Sequence, residues 1–198
     1  MGVFMNVYDM DKTIYNGDST ADFCLYCFTH HPKTLLYLPY ILGVTVRYYV
    51  LNIGTKTEFK GKLYRYLKSV DTETEVEKFW DSHIRNMKAY YLEQKREDDV
   101  IVSASPEFLL KPLEKHLNIH VIASKVSPTD GTPLSENCYY EEKVKRFREI
   151  YPDALIDDFY SDSYSDEPLA KLAKRAFIVK GEERISWDFS YHKKKIHI

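Results

Sequence analysis

Several common sequence signatures are absent from this chain of 198 residues, and each absence narrows the class of protein. Lys and Arg (28) nearly balance Asp and Glu (30), so the net charge of -2 gives no support for nucleic-acid binding. There is no internal repeat and no low-complexity linker. The start has neither a basic segment nor a continuous apolar segment, so no secretory signal is indicated and we expect a cytoplasmic protein. The composition, with 44% hydrophobic and 29% charged residues, is typical of a globular protein.

Cysteine is scarce, with Cys24, Cys27 and Cys138 the three examples. The spacing Cys24-x-x-Cys27 occurs in zinc sites and redox pairs, but no second pair of ligands stands at a suitable distance. A thioredoxin-like site would need its own preceding strand, and the preceding strand leads instead into a pair of aspartates. We therefore interpret the cysteines as buried, reduced thiols in a reducing compartment.

No apolar run reaches the roughly twenty residues that a membrane-spanning helix needs. The most apolar stretch, residues 35–46, is interrupted by Pro39 and Gly43 and flanked by Lys33 and Arg47. Two interpretations stay open, a buried helix, which we favour, and a helix lying at a membrane surface. The high content of Tyr, 17 in all, is concentrated near this stretch and suits an interfacial segment.

Five short apolar segments predict the strands of a parallel sheet that is buried on both faces. They are residues 3–8, 100–103, 119–124, 154–160 and 176–179. Helical patterns follow the later strands, at residues 106–117, 141–150 and 167–173. This alternation predicts an α/β fold with a doubly wound, Rossmann-like parallel sheet.

A long helical segment separates the first two predicted strands. Asp18-Ser19 is the expected N-cap of a helix at 20–29, and residues 73–94 have the spacing of one long amphipathic helix. We predict an all-helical cap domain at residues 17–91, inserted into a core domain formed by residues 1–16 and 92–198. The basic run at 193–195 is interpreted as a solvated tail.

The most informative motif follows the first predicted strand and reads Asp9-Met10-Asp11-Lys12-Thr13. Two carboxylates this close resist joint ionisation unless a cation or a proton relieves them. Open α/β sheets carry their chemistry just beyond the carboxyl ends of their strands. Taken alone, Asp-x-Asp after a strand is more often a capped turn. In this context it predicts a carboxylate site that binds a metal ion and acts on an anion.

Further polar residues fall at strand ends or helix starts. Ser103, with the backbone amide of Ala104, is placed to form an anion site at a helix N-terminus. Lys143 opposes the dipole of a helix start, and such local conflicts are typical of functional sites. Asp162 and Asp166 offer the hard oxygen ligands that suit Mg²⁺. Each residue alone also has a structural explanation, as a helix cap, a surface lysine or an acidic loop.

The order of these motifs along the chain resembles the haloacid dehalogenase (HAD) superfamily of phosphohydrolases, over essentially the whole chain. Within it the chain resembles the phosphoserine-phosphatase branch, in which a helical cap follows the first motif. The stretches 138–144 and 160–168, and the apolar residues 35–39, look most similar to the bacterial phosphatidylglycerophosphatase C type.

The chain departs from the superfamily pattern at several positions. Lys12 stands where many members carry Gly, and Asp162 is flanked by serines instead of the commoner glycines. Asp18 stands where phosphoserine phosphatases carry Glu, and Ala104 and Ser105 replace their glycines. These last differences weaken phosphoserine as the substrate.

The resemblance implies a phosphomonoester hydrolase with Mg²⁺ as its cofactor. Asp9 would be the nucleophile that forms an aspartyl-phosphate, and Asp11 would serve as general acid and then base. Asp9, Asp162 and the backbone carbonyl of Asp11 would hold the metal ion.

The same resemblance implies the groups that bind the transferred phosphoryl. Ser103, Ala104 and Lys143 would bind its oxygens beside Asp9. Asp166 would orient Lys143 or a metal-bound water.

The substrate stays open. The apolar stretch at 35–46 favours a lipid phosphate such as phosphatidylglycerophosphate, met through peripheral contact of the cap with the inner membrane surface. A small polar metabolite such as phosphoserine is the alternative. Arg47, Lys56 and Lys60 are candidate anion contacts, although a solvated face explains them equally well.

Three other functions are less well supported. A carbon–halogen hydrolase would not need the second acid, Asp11, which suits protonation of a leaving alcohol. A phosphomutase would need a sugar-phosphate site in the cap, and none is indicated. A catalytically idle binding or scaffold protein is disfavoured because every expected catalytic position carries a competent side chain.

Overall fold

A computed structural model describes residues 4–191, and the predictions for residues 1–3 and for the basic run at 193–195 lie outside the described residues, as does the side chain of Lys56. Six strands form one sheet in the order β3-β2-β1-β4-β5-β6. They are β1 (Phe4–Tyr8), β2 (Val100–Pro106), β3 (His120–Ser124), β4 (Leu155–Ser161), β5 (Ala173–Lys180) and β6 (Glu183–Ser186). Strands β1 to β5 run parallel, and β6 pairs antiparallel with β5.

The predicted doubly wound parallel sheet is confirmed. Successive side chains of a strand point to opposite faces, and both faces of this sheet are covered. Val7 packs into the cluster on one face and Tyr8 into the cluster on the other. The sequence pattern missed β6 because all four of its residues are exposed, so it carries no buried apolar signal.

Nine helices accompany the sheet within residues 4–191. They are α1 (Ser19–His30), α2 (Leu38–Tyr49), α3 (Lys56–Leu63), α4 (Thr72–His83), α5 (Ala89–Gln94), α6 (Glu107–Leu110), α7 (Leu113–Leu117), α8 (Glu141–Ile150) and α9 (Glu167–Ala170). Four 3₁₀ turns lie at Pro32–Tyr37, Tyr64–Ser69, Ile84–Asn86 and Tyr164–Asp166. Helices α1 to α5 occupy the connection between β1 and β2, and we call them the inserted helices.

The start of α1 and the bounds of α8 agree with the sequence pattern. Asp18 accepts a hydrogen bond from the backbone N–H of Ala21 at 3.0 Å, which confirms it as the N-cap of α1. Helix α8 begins and ends at the predicted residues. Ser19 also lies in α1, one residue before the predicted start.

The prediction of one continuous helix over residues 73–94 is wrong. Helix α4 ends at His83, and the chain then returns to the sheet beside the loop that follows β1. There the N–H of Asn16 donates to the carbonyl of Asn86 at 2.8 Å, and the N–H of Lys88 donates to the carbonyl of Ile14 at 2.7 Å. An uninterrupted helix would use these groups internally, so the helix breaks where the two segments pair.

Two other predicted helices are shorter than expected. The pattern at 106–117 forms α6 and α7 with a break before Leu113, because Pro112 has no N–H to continue the first helix. The pattern at 167–173 ends as a helix at Ala170, and Ala173 already belongs to β5.

The favoured interpretation of residues 35–46 as a buried helix is wrong. Of the twelve residues of α2, all of which are described, Val44 alone is buried. Leu36 is 82% exposed and Leu42 is 65% exposed, because α2 packs against α3 and the neighbouring 3₁₀ turn and not against the sheet. None of the helices within residues 4–191 combines the length and apolarity that crossing a membrane requires.

The cysteines are free thiols, as the sequence indicates. Cys27 and Cys138 are buried and Cys24 is partly buried. Burial raises the pKa of Cys27 to about 12 and that of Cys24 to about 11. Neither thiol therefore has the thiolate character of a redox pair at neutral pH.

Candidate active site

The predicted site residues meet at the point where the strand order reverses. Strands β2 and β4 lie on opposite sides of β1, and ligands of doubly wound sheets bind in the crevice at such a point. A cavity of about 630 Å³ opens there. All the residues that the motifs single out line it, namely Asp9, Asp11, Ser103, Ala104, Lys143, Asp162 and Asp166.

Lys143 is the central cation of this cavity. It stands in the first turn of α8, and its side chain is only 2% exposed. Its Nζ donates to Asp9 Oδ1 at 2.6 Å and to Asp166 Oδ2 at 2.7 Å. Burial lowers the pKa of Lys143, but the charges of Asp166 and Asp9 outweigh burial and hold the pKa above its usual value. Lys143 therefore stays charged at neutral pH. It joins the segment after β1 that carries Asp9 to the segment after β4 that carries Asp166.

Asp9 follows β1 and is 8% exposed. Its backbone N–H donates to the carbonyl of Tyr160 in β4 at 2.8 Å, which fixes the loop to the neighbouring strand. Burial raises the pKa of Asp9, and with the nearby charges of Asp166 and Asp11 the pKa reaches about 7 despite the opposing charge of Lys143. The single positive charge of Lys143 therefore does not fully balance the negative charges of Asp9, Asp11 and Asp166.

Asp11 is held from two sides. The backbone N–H of Ser19, at the start of α1, donates to Oδ1 at 2.6 Å, and the hydroxyl of Ser105 donates to Oδ2 at 2.5 Å. Burial raises the pKa of Asp11, and the charge of Asp18 raises it further. Both effects help the carboxyl group of Asp11 to keep a proton at a pH closer to neutral.

Two further hydroxyl groups, those of Thr13 and Ser161, support the carboxylates, and the sequence pattern did not predict a role for either. Thr13 donates to Asp9 Oδ2 at 3.3 Å and accepts from the N–H of Asp162 at 2.8 Å. Ser161 donates to Asp166 Oδ2 at 2.8 Å. Thr13 and Ser161 each lie beside a motif aspartate, which was the available signal, but their partners depend on the folded chain.

The expectation that Ser103 and Ala104 lie at a helix N-terminus is wrong. Strand β2 continues to Pro106, and α6 begins only at Glu107. Ser103 and Ala104 line the cavity from the end of the strand instead. Ser103 Oγ accepts a hydrogen bond from the N–H of Ser105 at 3.1 Å, which shapes this turn of the backbone.

Of the three cations suggested by the sequence, the two whose side chains are described, Lys60 and Arg47, lie apart. Lys60 lines the cavity, and its Nζ donates to the carbonyl of Ala104 at 2.8 Å and to Asn137 Oδ1 at 3.1 Å. Arg47 lies instead against a small hollow between α2 and α3. The side chain of Lys56 lies outside the described part of the structure.

Lys12 has a left-handed backbone conformation, with φ of 59°. This conformation costs a residue with a side chain roughly 1–2 kcal/mol, which explains why Gly suits the position in many similar sequences. The carbonyl of Lys12 accepts a hydrogen bond from Lys88 Nζ at 2.5 Å. Lys88, which is buried, thus supports the turn that follows Asp9 and Asp11 and leads into the inserted helices.

The donor set fits a hard divalent cation. No group of three or more His, Cys, Asp or Glu side chains within the described residues is arranged to hold a metal ion. The expected ligand set needs only two such side chains, Asp9 and Asp162, with the carbonyl of Asp11 as the third donor. Burial and the charge of Asp166 raise the pKa of Asp162, so a cation beside it would relieve an unfavourable charge.

The side of the cavity formed by the inserted helices is mostly apolar, although Asp18, Thr20 and Lys60 also line it. Leu25 and Phe28 of α1, Phe59 and Leu63 of α3, and Tyr66 of the following 3₁₀ turn line it. We call these five residues the apolar wall. The cavity therefore combines a charged floor of carboxylates and a lysine with a hydrocarbon side.

The chain belongs to the HAD family of haloacid dehalogenase-like hydrolases, whose sequence model matches residues 7–171. The sequence has no significant match among curated proteins.

Solved structures share the fold. A protein of unknown function from Bordetella pertussis Tohama I has a TM-score of 0.73 at 19% identity, covering 90% of both chains. A phosphoserine phosphohydrolase-like protein from Francisella tularensis subsp. tularensis SCHU S4 has a TM-score of 0.53 at 16% identity, covering 92% of this chain and 88% of that one. A substrate-bound phosphoserine phosphatase has a TM-score of 0.52 at 13% identity, covering 100% and 99%. A phosphoserine phosphatase and a phosphoserine phosphohydrolase-like protein are thus among the solved structures that share this fold.

Proposed function

We propose that the protein is a Mg²⁺-dependent phosphomonoester hydrolase that works through an aspartyl-phosphate intermediate, with a lipid phosphate as its substrate. The observation that carries this proposal is the convergence of Asp9, Asp11 and the buried Lys143 on one cavity. A nucleophile, a proton carrier and a cation for the phosphoryl group are the parts that this reaction requires.

In the first step, a carboxylate oxygen of Asp9 attacks phosphorus and the bond to the ester oxygen breaks. Asp11 donates its proton to that oxygen, so the alcohol leaves in neutral form. The raised pKa of Asp11 supports this role, because the carboxyl group must be protonated when the alcohol leaves.

In the second step, Asp11 accepts a proton from a water molecule that attacks the same phosphorus. Inorganic phosphate leaves, Asp9 recovers its carboxylate, and Asp11 is protonated again. Ser103, the Ala104 amide and Lys143 bind the phosphoryl oxygens in both steps, where negative charge accumulates.

Mg²⁺ would be held by Asp9, Asp162 and the carbonyl of Asp11. When bound, it would offset the repulsion between Asp9 and the phosphate dianion. Asp166 would keep Lys143 in position from the side opposite Asp9. The side chain of Asp166 accepts hydrogen bonds from Lys143 and from Ser161.

The apolar wall supports a substrate with a hydrocarbon portion, such as phosphatidylglycerophosphate. Leu25, Phe28 and Leu63 offer little to the charged groups of an amino acid, and Lys60, the cation that α3 adds to the lining, already donates to the carbonyl of Ala104 and to Asn137. Phosphoserine is the second candidate, because phosphoserine phosphatases are among the structural neighbours.

The test is phosphate release from a panel of esters with and without Mg²⁺. The panel contains an aryl phosphate, phosphoserine, sugar phosphates and phosphatidylglycerophosphate in mixed micelles. Asp9→Asn is the inactive variant, and Asp153→Asn, at an exposed position far along the chain, is the matched control.

Mg²⁺-dependent release that Asp9→Asn abolishes, and Asp153→Asn retains, would support the phosphatase, and the best ester would identify the substrate class. Equal activity of the wild type and Asp9→Asn would overturn the role of Asp9. No release from any ester would favour a binding or scaffold protein.

A further inference from the structure

The inserted helices carry a continuous apolar surface that no part of the described chain covers. It comprises exposed side chains of the 3₁₀ turn Pro32–Tyr37, of α2 and of the loop after it. Their exposed fractions range from 42% at Val46 to 82% at Leu36. We call this surface the α2 face; its members are Leu35, Leu36, Leu38, Leu42, Val46, Tyr49, Val50, Leu51 and Ile53.

The spacing of these residues makes them one surface. Leu38, Leu42, Val46 and Tyr49 follow one another at steps of four, four and three residues, which places them along one side of α2. Val44, the buried residue of α2, faces the rest of the protein. The helix therefore directs its larger apolar side chains toward solvent, the reverse of an ordinary surface helix.

The segment of sequence that carries the α2 face has charges of one sign. Between Asp22 and Glu58 the sequence contains no Asp or Glu, but it contains Lys33, Arg47 and Lys56. Glu58, which ends this stretch, accepts a hydrogen bond from the N–H of Thr55 in the capping box of α3. In a chain with 30 acidic residues, their absence from residues 23–57 makes the segment that carries this hydrocarbon surface cationic.

The α2 face is also connected to the cavity. Phe59 belongs to the apolar wall, and its ring stacks on Tyr48 of α2 with centroids 4.6 Å apart. Tyr49, a member of the α2 face, contacts the same ring edge-to-face at 5.4 Å. A path of apolar contacts thus leads from the exposed surface to the candidate active site.

We propose that the α2 face docks on the surface of an anionic lipid bilayer. The helix would lie in the interface, with its leucines among the acyl chains and its tyrosines and cations at the head groups. The cations of this segment, Lys33 and Arg47 among them, favour a membrane over an apolar protein surface, because anionic lipids attract Lys and Arg electrostatically. This docking does not depend on the phosphatase activity, although it suits a lipid substrate.

Vesicle flotation tests the proposal with the full chain. The probes are vesicles of phosphatidylcholine alone and vesicles that also contain phosphatidylglycerol. The variant is Leu36→Glu/Leu42→Glu, which adds two charges to the α2 face. The control is Ile150→Glu, at a helical position of α8 that is 49% exposed and remote from α2. Unchanged thermal unfolding shows that each variant is folded.

The expected result is flotation of the wild type and of Ile150→Glu with phosphatidylglycerol vesicles, and at least a roughly ten-fold smaller bound fraction for the double variant. Weak binding to phosphatidylcholine alone, and release by high salt, would support the role of the cations. Absence of wild-type flotation, or equal flotation of all three proteins, would overturn the proposal.

Light scattering without vesicles tests whether a second copy of the chain covers this surface. A wild-type dimer that the double variant converts to a monomer would show that a second copy covers the α2 face, and would overturn membrane docking. Hydrolysis of a water-soluble aryl phosphate, measured in parallel, reports on the proposed function. Flotation without phosphate release from this ester or any other ester of the panel would refute only the function, and hydrolysis without flotation would refute only the docking.

Discussion

The backbone N–H of Asp162 donates a hydrogen bond to the hydroxyl of Thr13 at 2.8 Å. The two residues belong to loops that leave the neighbouring strands β1 and β4. The same hydroxyl lies 3.3 Å from Asp9 Oδ2, so one buried side chain sets the separation of the two carboxylates proposed to hold Mg²⁺. A hydroxyl in this position organises the metal site without contacting the metal.

Replacing Thr13 with Val should therefore weaken Mg²⁺ binding. Val keeps the shape of Thr but removes the hydroxyl, leaving the N–H of Asp162 without its partner. We expect the Mg²⁺ concentration for half-maximal activity to rise by roughly 10–100-fold, as for other groups that orient metal ligands. Mg²⁺ titration of phosphate release measures this value. Thr13→Ser, which keeps the hydroxyl, should stay near the wild type; an equal effect of both variants would point to packing.

Replacing Lys143 with Met should reduce both activity and stability. Loss of the cation leaves Asp9 and Asp166 buried without their partner, which costs about 3–5 kcal/mol at neutral pH. We also expect kcat to fall by roughly 10²–10³-fold, because Lys143 is proposed to stabilise charge on the phosphoryl group. Thermal unfolding and steady-state kinetics provide the two measurements.

The control for this experiment is Lys145→Met, on the same helix. The side chain of Lys145 is 65% exposed and pairs with Glu142 at 3.5 Å. Its loss should change the free energy of unfolding by no more than about 1 kcal/mol and leave kcat unchanged. Full activity of Lys143→Met would contradict its place in the site.

Replacing Leu63 with Asn should distinguish lipid from soluble substrates. Leu63 belongs to the apolar wall, and a polar group there would oppose a hydrocarbon chain. Because burying a Leu side chain contributes about 1.5–3 kcal/mol, we expect at least a roughly ten-fold rise in KM for the micellar lipid phosphate. The kinetics of the aryl phosphate should change by less than roughly two-fold, since no chain is bound. Leu92→Asn, at a 45% exposed position on α5, is the control; a similar KM effect on both esters would argue against a chain-binding wall.

Replacing Glu75 with Gln should lower stability in a pH-dependent manner. Burial alone raises the pKa of Glu75, but hydrogen bonds from Lys78, His31 and Tyr26 outweigh it and lower the pKa to about 2. The folded value lies below the ordinary value of 4.5, so this stabilisation is complete above about pH 5 and is lost as the pH falls toward 2. We expect Gln to cost about 1–2 kcal/mol at pH 7, or roughly 3–6 °C in Tm.

Thermal unfolding measured at a series of pH values tests the direction of this change in stability. The difference between wild type and Glu75→Gln should shrink steadily below pH 5. Glu77→Gln, at a position on α4 where the side chain is 53% exposed, should unfold like the wild type throughout. A difference that grows on acidification would contradict the assigned pKa direction.

The sequence predicted the sheet and the charged floor because both signals are local. Strand β1 is apolar and followed at once by Asp9 and Asp11, and a parallel sheet brings such strand ends together. The supporting hydroxyl of Thr13 was not assigned, since its partner Asp162 is 149 residues away. The break after His83 depends on pairing with residues 14–16, which no periodicity in residues 73–94 could indicate.

The apolar stretch at 35–46 shows a different limit of sequence interpretation. Helical spacing can show which side chains share a face of a helix. Whether a face is buried depends on a partner, and in the described structure α3 covers only the side that includes Val44. Burial of Leu42 was therefore expected from its apolarity and was not found.

The pairing of residues 14–16 with 86–88 has an evolutionary consequence. Tyr15 and Met87 face each other across an antiparallel bridge, so the chain departs from and rejoins the catalytic core at adjacent points. Segments whose two ends lie side by side can be lengthened, shortened or exchanged without altering the host sheet. The intervening segment can therefore change in length or sequence while Asp9 and Asp11 keep their register with Asp162.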